Sequence, residues 1–556
     1  MTARIIRIAG SLVEAAPLHG ALYEMALVGE RRLLGEVIKQ RGDVATLQVY
    51  ESTTGMAVGE PVEHTGVSLT AQLGPGLLGA VLDGIGRPLE RVAEATGDFI
   101  APGTRADTLD AARLWAFTAT RAVGDVVGPG DELGTVDERA ITHRVLVPPG
   151  VRGTVAALSS GAYTVSAPIG ALTDGTSLFL AHRWPVRVPR PVGERFASSR
   201  PFVTGQRVFD LFFPVAEGGS AAVPGGFGTG KTIIEQSLAK FSEADVVVYV
   251  GCGERGNEMT DVLTEFPLLV DPRTGRPVMD RAVLIVNTSN MPVAAREASI
   301  YMGVTVAEFF RDQGNRVALM IDSTSRWAEA LREMAARQQE MPGEEGYPTY
   351  LASRLGQFFE RAGRVRALGT PVRDGAVTII GAISPPGGDF SEPVTQASLR
   401  VAGAMWALDA SLAHQRHYPA VDWESSFSLY ADQVAPWFAA NAGEAWAETR
   451  ADLLGLLQKE RELRDIASLV GPDALEDHDH LVMDVAAIVR EVVLRQNAYH
   501  PHDAISSPTQ TYTLARAALD AYRDGERALA AGTLFNQLDL NPVRRALVAL
   551  RDGVAP

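Results

Sequence analysis

The period of apolar and polar positions changes several times along the chain. Over residues 1–70, short alternating runs recur, ALYEMAL (21–27), LLGEVIK (33–39) and DVATLQVY (43–50), divided by Gly, Arg and Asp turns. Recurrence at about ten residues predicts a small β-barrel or sandwich. The acids Glu51, Glu60 and Glu63 read as its solvated surface. Residues 71–110 form a connector rich in Gly and Leu. Alternation returns over 111–190, in THRVLVPPGVRGTVAAL (142–158) and AYTVSAPIG (162–170), and predicts a separate β-rich insertion. The Pro-rich WPVRVPRPVGERF (184–196) that follows is expected to be extended.

From 191 to 435 the pattern becomes continuous. VVVYV (246–250), AVLIVN (282–287), VALMI (317–321) and VTIIGAI (377–383) are apolar on both faces, with amphipathic helical stretches between them. Strands buried on both sides and alternating with helices predict a mostly parallel sheet covered on each face. After 436 the period is helical, in 443–471, 479–499 and 508–531. A shorter piece, 541–553, opens with an Asn cap and Pro at the first helical position. These predict a terminal helix bundle over 436–556. The expected fold is thus multidomain α/β: barrel, connector, insertion, mostly parallel sheet and helical end.

Composition narrows the partners. The chain has 556 residues and a net charge of −16, which disfavours nucleic acid over a wide surface. Its one cysteine, Cys252, cannot form an internal disulfide and reads as a small buried apolar residue. No apolar stretch reaches the ~18 residues of a membrane span, and the N-terminus lacks the apolar core of a signal peptide.

The chemistry centres on GGFGTGKT, residues Gly225, Gly226, Phe227, Gly228, Thr229, Gly230, Lys231 and Thr232. It fits the phosphate-loop pattern G-x-x-x-x-G-K-S/T at every fixed position. Glycines let the backbone take positive φ and approach a polyphosphate. Lys231 sets a point charge on the β and γ phosphates, and the Thr232 hydroxyl is placed to ligate Mg²⁺. The helix that begins there (232–241) turns its positive end to the anion. A strand-like run on the far side, 246–250, completes the strand–loop–helix–strand context.

Two further runs supply carboxylates. RVALMID (316–322) ends a buried strand on Asp322, an arrangement that holds Mg²⁺ through water; the same Asp could instead cap the helix of 323–338. VVVYVGCGERGNEM (246–259) ends a second strand on a glycine turn and Glu254, placed to orient the water that attacks a γ-phosphate. Arg255 and Arg326 are candidates to touch phosphate oxygens or to steer Glu254, with an ordinary structural ion pair as the alternative for each. In HYPAVDWESSFS (417–428), Tyr418 is a candidate to stack on an adenine ring, with a core tyrosine as the alternative.

Taken in order, GGFGTGKT, GCGERGNEM, LMIDSTSRWAEALRE, GYPTYLASRLGQFFERAGR (346–364), SPPGGDFSEPVT (384–395) and HYPAVDWESSFS resemble the catalytic A subunit of the vacuolar/archaeal-type rotary ATPases. PAVDWESSFS (419–428) also fits that family's short signature. The resemblance covers essentially the whole chain. It implies an ATP hydrolase or synthase coupled to H⁺ or Na⁺ transport, with Mg²⁺ and ATP or ADP. Lys231 and Thr232 match the phosphate and Mg²⁺ residues, Glu254 the catalytic glutamate and Arg255 its neighbour near the γ-phosphate. Asp322 matches the acid beside Mg²⁺, Arg326 a phosphate-side arginine, Tyr418 the adenine-stacking aromatic and Tyr499 a second pocket aromatic. Further implications are a ring in which three A subunits alternate with three non-catalytic B-type subunits, an arginine finger from the B-type partner, a central rotor shaft and a peripheral stalk. Membrane contact would come through other subunits, leaving this chain cytoplasmic and peripheral. Two positions depart from the pattern. Gly226 stands where relatives often have Pro or Ala. Thr229 stands where many have Cys, so the loop carries no cysteine for a redox switch.

Overall fold

The computed structural model describes residues 3–97, 99–471 and 475–553; the first two residues and the last three of the expected end domains lie outside these. The chain divides into two compact units. One comprises residues 1–196, 244–383 and 391–398; the other comprises 197–243, 384–390 and 399–556.

In the first unit, six antiparallel strands close a barrel: Ala3–Ala9, Leu12–Ala16, Glu24–Val28, Leu33–Arg41, Val44–Val49 and Pro61–Ser68. Inward positions such as Ile5, Val13, Val28, Val37, Leu47 and Val62 fill it. Glu51 is not on the solvated surface expected of it. It is buried, and its carboxylate accepts the Gly103 N–H at 2.8 Å.

The segment from Trp115 to Phe179 folds into two four-stranded antiparallel sheets. The Pro-rich stretch begins as a strand, His182–Pro185, which pairs with Thr70–Leu73 of the connector. Beside these lies a parallel sheet. Its strands Asp374–Ile383, Arg316–Asp322, Val246–Glu254, Ala282–Thr288 and Val81–Asp83 run in that order across it. Every residue of Val246–Glu254 is buried, which explains why this segment shows no polar alternation. The helix Val293–Asp312, buried almost all round, packs on the sheet and forms part of the core.

One side chain ties the barrel to this core. Arg187 donates to Glu36 of the barrel at 3.0 and 2.9 Å and to Glu297 of the buried helix at 2.9 and 2.6 Å. Its guanidinium also lies 4.7 Å from the Tyr23 ring centre and 4.9 Å from that of Tyr301. Burial pushes the Glu36 carboxyl above its usual range, against the pull of Arg187.

In the second unit, the strand Ser220–Pro224 runs into the glycine loop and the helix Lys231–Phe241. It pairs in parallel with Ala404–Met405. The helical end contains Ala431–Asn441, Trp446–Val470, Asp477–Ile488, Pro508–Ala530 and Asn541–Arg551. Two expectations shift in this region. The last helix is preceded by Leu540, whose side chain makes no cap bond, and Asn541 is already inside the helix. The helix expected over 479–499 ends in a π-helical turn, Val489–Leu494. There the fully buried Arg207 donates to the carbonyls of Val493 and Arg495 at 2.5 and 2.7 Å and pairs with Asp503 at 2.6 Å. Satisfying these carbonyls from a distant arginine lets the chain leave the helix, although its apolar period continues. Among the described residues no helix is long and apolar enough to cross a membrane.

Arg187→Ala is expected to destabilise the chain by about 3–5 kcal/mol, because two buried carboxylates lose their shared cation. The loss should be larger at pH 8 than at pH 5, where Glu36 can take up a proton, and denaturant melts at the two pH values measure it.

Candidate nucleotide and carboxylate sites

The glycine loop takes the form its composition allows. Gly228 and Gly230 sit at φ 76° and 92°, where a side chain would be strained. The Thr229 hydroxyl donates to the Gly226 carbonyl at 2.9 Å and staples the turn from inside. A side chain at Gly225 would meet that hydroxyl at 2.6 Å and Leu408 Cβ at 2.9 Å. Lys231 Nζ donates to the carbonyls of Gly225 and Gly226 at 2.7 and 2.8 Å, so its charge already lies in the bowl of the loop. Phe227 stands out from the turn, 82% exposed. Tyr418 is half-buried, its ring edge 3.5 Å from where a Cβ on Gly230 would stand. Its carbonyl accepts the N–H of Gln496, a buried residue whose amide Nε2 donates to the Gly205 and Asp503 carbonyls. Tyr418 is therefore fixed beside the loop. Tyr499 is 97% exposed, on the turn beyond Gln496.

The carboxylates belong to the first unit, at the C-terminal edge of the parallel sheet, where open α/β sheets place ligands. Asp322 lies opposite Gly251 in register, and Glu254 is three residues further along that neighbouring strand. Both are buried, Glu254 at 7% exposed and Asp322 at 3%. The Tyr249 hydroxyl donates to Asp322 Oδ2 at 3.4 Å. The cap position before Thr324 belongs to Ser323, without a side-chain cap bond. Burial first, then the charge of Asp322, pushes the Glu254 carboxyl up to about 8. Its Oε1 is buried without a hydrogen-bond partner among the described residues. Two buried acids that repel each other, one with an unsatisfied oxygen, form a donor set suited to a hard cation that keeps its waters.

The arginines divide. Arg255 is more than half exposed and approaches the Glu258 carboxylate at 4.0 Å. Arg326 holds Glu329 with both oxygens at 2.9 Å from Nη1, while the charge of Glu254 also acts on its guanidinium. Several participants were not legible from motifs. Gly253 sits at φ 72°, and a side chain there would meet Arg296 Cδ at 2.7 Å and Arg326 Cβ at 2.8 Å. Arg296, buried, donates to the Ser289 carbonyl at 2.9 Å and forms the floor under this turn. Glu258 raises the Glu254 carboxyl and Ser323 lowers it. Only the glycine spacing of GCGE carried a signal for any of these. Cys252 is fully buried, its thiol pushed up to about 12 by burial, as an inert core residue would be.

A closed barrel, a parallel sheet with paired acids at its C-terminal edge and a complete phosphate loop define a P-loop nucleotide-binding chain, and it belongs to the ATP synthase alpha/beta family. The family's nucleotide-binding domain matches residues 205–428, its β-barrel domain 5–66, its barrel-sandwich domain 106–187 and the C-terminal domain of V and A type ATP synthase 435–537. Within that family it is similar to V- and A-type chains. The V-type ATP synthase alpha chain of Anaeromyxobacter dehalogenans is 57% identical over 96% of this chain and 92% of the relative. An A-type ATP synthase chain of Methanospirillum hungatei is 50% identical over 99% and 95%. The V-type ATP synthase alpha chain of Clostridium novyi is 50% identical over 100% and 94%. Among solved structures, the assembled ATPase EscN of the enteropathogenic E. coli type III secretion system shares the fold. Its TM-score is 0.65 at 22% identity, covering 93% of this chain and all of that one.

A folded-state carboxyl held above its ordinary 4.5 stabilises the fold fully below that value and ceases to do so as pH rises through about 8. The thermal midpoint of the nucleotide- and metal-free chain is therefore expected to fall between pH 5 and pH 8.5. Glu254→Gln should remove part of that fall; an identical pH profile in the variant would contradict the assignment.

Proposed function

We propose that the chain is the catalytic subunit of a V/A-type rotary ATPase, hydrolysing or synthesising ATP in a multi-subunit complex that couples turnover to H⁺ or Na⁺ transport. The observation that carries this reading is the buried Glu254–Asp322 pair in a chain that also has the full phosphate loop. A subunit that only binds nucleotide has no need of a buried, mutually repelling acid pair. The names of the relatives, V-type ATP synthase alpha chain and A-type ATP synthase, support the same reading.

Within it, the loop amides and Lys231 bind the phosphates, and Tyr418 stacks on the base with Tyr499 as the second aromatic. Thr232 and, through water, Asp322 hold Mg²⁺, whose bound form supplies charge neutralisation on the phosphate oxygens. Glu254 orients the attacking water as a carboxylate, a state favoured once the repulsion of Asp322 is offset. Arg255 and Arg326 lie on the phosphate side and hold Glu254 in its orientation. The domains are a barrel (1–70), connector (71–110), insertion (111–190), nucleotide domain (191–435) and helical end (436–556). A B-type partner completes the cleft in an alternating ring around a central shaft, with a peripheral stalk. The chain itself sits peripherally, on the cytoplasmic side, and other subunits meet the membrane.

Lys231→Ala and Glu254→Gln are each expected to lower ATP turnover of the assembled complex at least ~100-fold, the scale of a lost positioned acid–base group, while assembly persists. Steady-state ATPase assays on purified complex test this, and near-normal turnover in either variant would count against these roles.

A further inference from the structure

Tyr418 is held beside the phosphate loop by more than its own backbone. The residue before it, His417, is 6% exposed. Its Nε2 donates at 3.0 Å to the Arg490 carbonyl, in the π-helical turn Val489–Leu494. That carbonyl also accepts the Arg495 N–H, five residues on, at 3.0 Å. A π turn is wider than an α turn, and a carbonyl oxygen with two lone pairs serves both donors. One residue along, the Tyr418 carbonyl accepts the Gln496 N–H at 2.8 Å. Two consecutive residues are thus stitched to one turn, the first through its side chain and the second through its backbone.

The turn is itself anchored. Arg490 pairs at 3.3 Å with Glu460, a buried acid of the helix Trp446–Val470. His417 also packs against Trp423, with ring centres 6.2 Å apart, and its backbone N–H donates to the Leu412 carbonyl at 2.9 Å. Every residue of this arrangement belongs to the second unit. Of the two neutral tautomers only the Nε2–H form makes the bond to Arg490, because a carbonyl can only accept. Nδ1 is buried and has no hydrogen-bond partner among the described residues. Burial pushes the imidazole below its usual range, against the pull of Glu491 and of the Pro419 backbone and with Arg495 adding to the drop, so the neutral form prevails.

We propose that His417 is a positioning residue for the nucleotide base: its Nε2–H bond to the Arg490 carbonyl sets the direction in which the backbone presents the Tyr418 ring to the phosphate loop. The ring edge lies 3.5 Å from where a Cβ on Gly230 would stand, so a small swing of the backbone moves the ring away from the loop. This role rests on the reading of Tyr418 as the base-stacking aromatic; His417 acts through it and needs no contact with the ligand.

The test measures binding of ADP and of inorganic pyrophosphate to the full chain by calorimetry, because pyrophosphate has the phosphates without the base. His417→Leu, which loses the donor, is expected to weaken ADP at least ~5-fold, the low end of what base–aromatic stacking contributes, and to leave pyrophosphate within ~2-fold. His417→Gln, whose amide reaches the Nε2 position, should restore the parental ADP affinity, while the shorter amide of His417→Asn should not. The thermal midpoint reports that each variant is folded; if His417→Leu does not fold, the Gln and Asn variants are read in its place. Tyr418→Ala separates this role from the reading beneath it. If Tyr418→Ala keeps the parental ADP affinity, the stacking assignment fails and the role of His417 fails with it. If Tyr418→Ala weakens ADP while the folded Leu and Asn variants of His417 do not, only the role of His417 fails. Equal weakening of ADP and pyrophosphate in the His417 variants would mark it as structural support alone and overturn the proposal.

Discussion

The structure of the candidate site turns on the repulsion between two buried acids. Glu254 and Asp322 end adjacent strands of one parallel sheet, deep enough that water cannot screen them. The cost of two neighbouring buried carboxylates is met elsewhere, by a core in which the strands Val246–Glu254 and Ala282–Thr288 are buried almost throughout. The acids are consequently held in place by structure that has little to do with them, and their mutual tension is available to whatever cation or phosphate chemistry the site performs.

Around that pair, each supporting contact fixes orientation more than it adds stability. The positive φ of Gly253 lets the strand end turn over Arg296 and Arg326 without a side chain in the way. Arg187 binds the barrel to the helix bearing Glu297, next in sequence to Arg296, so barrel, helix and the turn at Glu254 form one chain of contacts. In the second unit, Arg207 and Gln496 perform a comparable task for the loop after Leu494 and for the backbone of Tyr418. Long-range arginine anchors of this kind recur through the protein, and they place functional loops at positions where local sequence alone would leave the chain free.

Much of this was legible in the sequence, for physical reasons. Strands buried on both faces announce themselves as unbroken apolar runs, and the phosphate loop needs its glycines and lysine at fixed spacing, so 225–232, 246–250 and 317–321 could be read directly. The barrel was legible in kind, but Ala3–Ala9, Leu12–Ala16 and Pro61–Ser68, which close it, carry charged outward residues that blur their period. Glu51 looked like surface because its partner, the Gly103 N–H, is 52 residues away. The helix expected to run to 499 stops at Leu494, where Arg207, far off in sequence, takes the carbonyl of Val493 and that of Arg495 just beyond the end. Gly253, Arg296 and Gln496 had no motif to mark them, since their roles come from what the fold packs against them.

The state of Glu254 is the most direct measure of this account. Infrared difference spectroscopy of the nucleotide-free chain against Glu254→Gln at pH 7 reports whether that side chain carries a proton. A protonated-carboxyl band present in the parent, absent in the variant and lost when Mg²⁺ and nucleotide are added is the result expected of a repelling buried pair. A carboxylate at Glu254 under all those conditions would contradict it.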